Sequence, residues 1–298
     1  EHGMSIQEHI YPSIQQGIRK EWGPFDHGTK EWWRDYRRFI NQEPYPGKAE
    51  ISPSEGRAGE LKTVAITFTV GKGGISPYGH IAIECPFPGV EVWIPGKRYK
   101  ARVPVVSVSC SNPKPFLELS FSNGILDIIN RVHPLLEGDT VTVTIGDERR
   151  SPVALPHVAF SYKIPIALDI DNTGYYKRIA EFPVLHIRGN YPSTFYLVVP
   201  SIMQEKASRA VKIRAHDVYG NPASNYKGEP ELYCLNESSE GKTEVISLGY
   251  VAMEDSSPIT TEIPTDRLPE NEGICRIGAV DREIGISGLS NPVASMDA

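Results

Sequence analysis

The stretch from Val211 to Ser224, VKIRAHDVYGNPAS, constrains this 298-residue chain more than any other. Val211, Ile213 and Ala215 alternate with Lys212, Arg214 and His216, the period of two that buries one face of a β-strand and wets the other. Asp217-Val-Tyr-Gly-Asn-Pro then supplies an acid able to bond its own backbone, a glycine free to take positive φ and a proline with no amide to donate. The strand must end there. A strand leaving an antiparallel sheet through such a turn suits an immunoglobulin-like sandwich, and the stretch carries no reactive group.

Much of the chain repeats that grammar. Ala49–Ser54, Leu61–Val70, His80–Cys85, Val90–Ile94, Val105–Cys110, Phe116–Phe121, Thr140–Ile145 and His157–Leu168 read as strands. Gly71-Lys-Gly-Gly, Asn112-Pro, Ser122-Asn-Gly and Gly146-Asp are among the turns between them. Ile125–Val132 fits a strand or a helical turn, and its neighbours favour a strand. Phe182–Gly189 reads as the strand opening a second unit, with Asn190–Pro200 as its partner. Runs at Pro230–Leu235, Glu244–Val251, Ile259–Ile263, Gly273–Val280 and Ile284–Leu289 bring that unit to an immunoglobulin-like strand number. The predicted fold is mainly β. Residues 1–48 form an N-terminal helical arm, 49–181 a first β-sandwich and 182–298 a second, immunoglobulin-like β-sandwich.

The arm has a different period. Ile6, Ile10, Ile14, Ile18 and Trp22 recur every four residues, and Pro12 breaks that run into two short helices. Thr29 can cap a further helix, on which Trp32, Trp33, Tyr36, Phe39 and Ile40 make an apolar stripe opposite Arg34, Asp35, Arg37 and Arg38. A helix this short is unstable alone, so the stripe needs a surface, either on its own sandwich or on a neighbouring subunit of a homo-oligomer. Glu1-His2-Gly3 ahead of Met4 reads as an expression remnant and takes no part in the fold.

Charge and hydropathy narrow the partners. The net charge of −6 divides into −10 from Glu229 onward and +4 before it, so the C-terminal part repels phosphate backbones and no nucleic-acid partner is expected. No apolar run approaches the roughly 18 residues of a membrane span, and the N-terminus lacks the apolar core of a signal peptide. The expected compartment is the cytoplasm, with no membrane partner.

Chemistry-bearing patterns are sparse. Cys85, Cys110, Cys234 and Cys275 include no CxxC, and each falls on the core parity of its strand, which favours buried free thiols over a bridge. No two of the eight histidines lie within six positions, so H-x-H and H-E-x-x-H are absent and only a site assembled from distant histidines remains. Asp169-Ile-Asp-Asn-Thr-Gly begins like a calcium loop, but Ala180 stands where the bidentate Glu belongs, and a side-chain-locked hairpin turn is the favoured reading. No serine sits in G-x-S-x-G or S-x-x-K, and no cofactor is implied. The hairpin Gly89–Arg102 sets Trp93 and Tyr99 beside Lys97 and Arg98, which can present rings and cations to a glycan or an anion, or form an ordinary solvated loop.

Four segments together suggest a family. They are AGELKTVAITFTVGKGGI from Ala58, EGDTVTVTIGD from Glu137, RAHDVYGNP from Arg214 and GLSNPV from Gly288. In that order they resemble the N-terminal half of the bacterial domain of unknown function 3604 family, across about residues 49–293. The resemblance implies a β-rich region preceding a metal-dependent hydrolase-like domain whose His and Asp motifs begin after the Ser-Asn-Pro segment. No catalytic residue carries over, because Ala298 falls before those motifs, and the Val90–Val103 hairpin and the Trp-rich arm depart from the pattern. The leading expectation is therefore a non-catalytic accessory region that positions or oligomerises such a domain. A glycan- or ligand-binding module and a hydrolase with a dispersed site at the domain junction are the alternatives.

Overall fold

The computed structural model describes residues 43–87, 89–92, 104–122, 124–147, 149–200, 202–204, 209–237, 243–255, 257–263 and 274–296. The expected arm helix, with Trp32, Trp33, Tyr36 and Phe39, lies outside them. The described residues are mainly β, with no helix among them. They divide into two compact units, the first running to Pro156 and resuming over Phe160–Ile187, the second made of His157–Ala159 and the chain from Arg188 on.

In the first unit the β-branched run Val64–Thr69 lies between Lys48–Ser52 and Thr140–Ile145, both antiparallel to it, and Val105–Cys110 and Glu91–Val92 continue that sheet. Strict alternation sets the register. Ile66 faces Val143 and Phe68 faces Val141 on the buried side, while Thr67 and Thr142 pair on the other with hydroxyls 3.2 Å apart. A second sheet has the order Lys177–Arg178, Ile166–Asp169, His80–Glu84, Ile125–Arg131, Phe116–Ser122. Ile81, Ile83, Leu126, Ile128, Ile166 and Leu168 from this sheet join Val64, Ile66, Phe68, Val141 and Val143 from the first in one buried cluster. The ambiguous run from Ile125 is a strand, ending at Arg131.

Two expected strands are each divided. Leu61–Val70 breaks at Thr63: Leu61–Lys62 pairs with Val153–Ala154, while Val64–Thr69 serves the larger sheet. His157–Leu168 breaks around Pro165, which has no amide to donate; Ser161–Lys163 pairs with Val184–Arg188, and Ile166–Asp169 with His80–Glu84. The expected hairpin between Phe182–Gly189 and Asn190–Pro200 does not form. Val184–Arg188 pairs with Ser161–Lys163, and Thr194–Val198 pairs instead with Arg209–His216. The intervening residues are held elsewhere. A Cβ on Gly189 would lie 1.8 Å from the Pro222 carbonyl oxygen, and the Asn190 amide donates to Asp217.

In the second unit Arg209–His216 is the middle strand between Thr194–Val198 and Ile259–Ile263. Val211, Ile213 and Ala215 are fully buried, as the alternation predicts. A second sheet has the order Ile202–Gln204, Val293–Met296, Ile274–Asp281, Glu231–Glu237, Thr243–Tyr250, with Ile286–Leu289 also paired to Ile274–Asp281. Its inward residues Leu232, Cys234, Ile277 and Ala279 join Val211 and Ile213 in a separate core. None of the four cysteines is in a disulfide; Cys85 and Cys234 are buried, Cys110 and Cys275 half-buried.

Candidate functional site

Three buried carboxylates mark the places where charge is held in this fold. Asp169 accepts the amides of Thr173 at 2.9 Å and Gly174 at 2.7 Å, with Gly174 at φ 76°. The would-be calcium loop is thus a hairpin turn between Ile166–Asp169 and Lys177–Arg178, both oxygens of its first acid accepting backbone amides of the turn. Asp217 accepts from Asn190 N, Tyr219 N, Asn221 N and Asn221 Nδ2, all within 2.8–2.9 Å. Burial pushes its pKa up, yet the hydrogen bonds from Asn190, Asn221 and Tyr219 outweigh that and hold it below the ordinary carboxylate value. Asn221 in turn donates 2.7 Å to the His157 carbonyl and accepts the Ala159 amide at 2.9 Å, and the His157 ring stacks on Tyr219 at 4.3 Å. Asp281 accepts the amides of Glu283 and Ile284 and the hydroxyl of Tyr226, the last at 2.7 Å.

The titratable groups left available gather on the outer face of the sheet containing His80–Glu84. Alternation sends Ile81 and Ile83 into the core and turns His80, Ala82 and Glu84 the other way. Asp127, from the adjacent Ile125–Arg131, reaches His80 Nδ1 with both oxygens at 3.0 Å. That hydrogen bond, above all, raises the His80 pKa; burial opposes it, and the charges of Asp127 and Asp169 add to it. The ring of Tyr176 stands edge-on at 6.5 Å. The Tyr176 hydroxyl and Glu84 Oε2 are buried, with no hydrogen-bond partner among the described residues. Burial raises the Tyr176 hydroxyl pKa far above its ordinary value and that of the Glu84 carboxyl to about 7. A histidine oriented by a carboxylate is the geometry of a general base. Here Asp127 is the hydrogen-bond partner of His80 among the described residues, and no nucleophile is joined to the pair.

An open groove of about 470 Å³ lies in the other unit. Glu229, Glu231, Asp281 and Glu283 line it with Arg282, whose guanidinium is 3.3 Å from Glu231. Since Asp281 is committed to its turn, the groove is an acidic surface. Among the described residues no group of three or more His, Cys, Asp or Glu is placed to hold a metal ion.

Of the residues singled out from sequence, Trp93, Lys97, Arg98 and Tyr99 lie outside the described residues; Glu91–Val92, just before them, runs parallel to Val105–Val106. The His80–Asp127 pair has no local spacing to betray it, since 47 positions separate its members. Only the shared outward parity of two adjacent strands could have suggested it.

No protein-family model matches the chain, and no curated protein matches it. Among solved structures it is similar to the pilus adhesin SpaC of Lactobacillus rhamnosus GG, with 10% identity over 74% of this chain and 26% of that one and a TM-score of 0.29. It is also similar to Escherichia coli alpha-2-macroglobulin, with 11% identity over 84% of this chain and 23% of that one and a TM-score of 0.26. The chain therefore spans about a quarter of the length of these two proteins. AvmM, a macrocyclization catalyst of alchivemycin A biosynthesis, matches 51% of this chain at 14% identity and a TM-score of 0.22. Likenesses at this level assign the chain no activity.

Proposed function

We propose that the chain is a non-catalytic scaffold of two tandem immunoglobulin-like β-sandwich units that positions or oligomerises a hydrolase-like partner, either a metal-dependent domain C-terminal to it or a separate subunit. The observation supporting this is the use of its buried acids. Asp169, Asp217 and Asp281 each accept backbone amides of their own turns, and Asp217 and Asp281 also hold Asn190 and Tyr226, which makes them locks on the loops at the strand ends. Loops so locked suit a rigid mount, because interfaces and sites are best carried on elements whose conformation is already fixed. The test is elemental analysis of the purified chain together with an esterase and phosphodiesterase panel. Background turnover and no stoichiometric transition metal are expected.

The His80–Asp127 pair supports a second reading, a hydrolase with a dispersed site. Turnover that disappears in both His80→Ala and Asp127→Asn, with the melting temperature kept, would establish that reading and remove the first.

A further inference from the structure

Arg209–His216 buries Val211, Ile213 and Ala215, and so turns Lys212, Arg214 and His216 to the outer side of its three-stranded sheet. In register beside them stand Val198, Tyr196 and Thr194 on one flank, with Thr260 opposite Lys212 on the other. This side is open to solvent. Tyr196 is 60% exposed and Val198 47%, and Lys212 and Thr260 are exposed as well. The other sheet of the same unit covers part of its own outer side: the half-buried Tyr233 lays its ring over Gly278, where an added Cβ would come within 2.2 Å of that ring.

Charge gives the open face its first preference. Three successive outward positions of one strand, about 13 Å from end to end, carry Lys212, Arg214 and His216. The acid facing the same way on these three strands is Glu262, which lies opposite Ala210 beyond the end of that row. On a chain of net charge −6, a strip of this kind concentrates positive potential at one place on the surface.

The rings give the second preference. Tyr196 lies directly opposite Arg214, and its ring centre is 5.3 Å from that of His216, tilted by 36°. His216 Nδ1 donates to the Gly220 carbonyl at 2.9 Å, in the turn that Asp217 locks. That bond sets the tautomer, so Nε2 of the neutral ring is an acceptor. An acceptor held in place calls for a donor on the ligand, which a sugar hydroxyl supplies and a phosphodiester linkage does not. An exposed aromatic ring on a flat sheet also receives the polarised C–H groups on the face of a sugar ring.

We infer that this face binds an anionic polysaccharide, with a sugar ring stacked on Tyr196 beside Val198, carboxylate or sulfate groups on Lys212 and Arg214, and a hydroxyl donated to His216 Nε2. The side chains project from paired strands and a locked turn, so little ordering is needed when the ligand arrives. The site is complete within one sheet and does not depend on a hydrolase-like partner.

Titration calorimetry of the full chain with polygalacturonate and with dextran sulfate, set against unmodified dextran and a single-stranded oligothymidylate, tests this. At least one of the two anionic polysaccharides should bind, and the two arms tell carboxylate from sulfate; dextran and oligothymidylate should bind at least about tenfold more weakly. Tyr196→Ala should weaken binding about tenfold, Lys212→Glu with Arg214→Glu should abolish it, and Lys163→Glu in the first unit should leave it unchanged. Binding of neither anionic polysaccharide by a protein with native circular dichroism would overturn the inference. Equal binding of dextran or oligothymidylate would do the same, as would full binding by the Tyr196→Ala or the doubly substituted chain, or an equal loss from Lys163→Glu.

Discussion

Glu84 shows how much one oxygen can do in a sheet face. Burial raises its carboxyl from the ordinary 4.5 to about 7, and among the described residues Oε2 has no hydrogen-bond partner to offset the loss of water. A folded-state pKa above the unfolded one favours the fold at low pH; the contribution is full below about 4.5 and lost as pH rises through about 7. Glu84→Gln should therefore leave stability unchanged near pH 4 and raise it at pH 8 by up to about 3 kcal/mol, as read from urea unfolding at the two pH values. Asp217 has the opposite sign. Its pKa is lowered, so its contribution is present above the ordinary 3.8 and lost as pH falls through the folded value. Asp217→Ala strands the amides of Asn190, Tyr219 and Asn221 and should cost about 3–5 kcal/mol at pH 7, which the same unfolding measurement would read. The Asp217 lock was legible in advance, because Asp, Gly and Asn at fixed offsets bond locally. The His80–Asp127 pair was not, because strand register decides it.

Strand existence was readable from alternation, and strand partnership was not. Thr140–Ile145 and Val105–Cys110 keep their expected bounds because each serves a single sheet with one buried face. Leu61–Val70 and His157–Leu168 look continuous, since hydropathy does not record a change of sheet, and in the second only Pro165 hints at one. The missing hairpin after Arg188 has a steric cause at Gly189, where backbone meets backbone at Pro222. Gly189→Ala should cost about 3 kcal/mol or more, the upper end for overpacking. Gly174→Ala, at positive φ with nothing within 4 Å of the added carbon, should cost about 1 kcal/mol. Thermal melts of the pair would check the ordering, and equal losses would count against a close-approach role for Gly189.

At the scale of the molecule, the described residues hold two hydrophobic core clusters that share no member. Calorimetry should then resolve two transitions, with Phe68→Ala lowering one by about 3–5 kcal/mol and Ile213→Val lowering the other by about 1 kcal/mol. A single transition moved by either change would show that the clusters unfold as one.

The grip of Asn221 on His157 and Ala159 bears on how the chain is made. A ribosome releases residues 157–159 more than sixty positions before the asparagine that holds them, so the second unit begins with a piece delivered early and kept waiting. Anyone expressing it as a fragment from Arg188 would cut that piece away. Both ends of the Asn221 amide and the ring of Tyr219 would lose their partners, and the module so excised would not be the one that nature assembles.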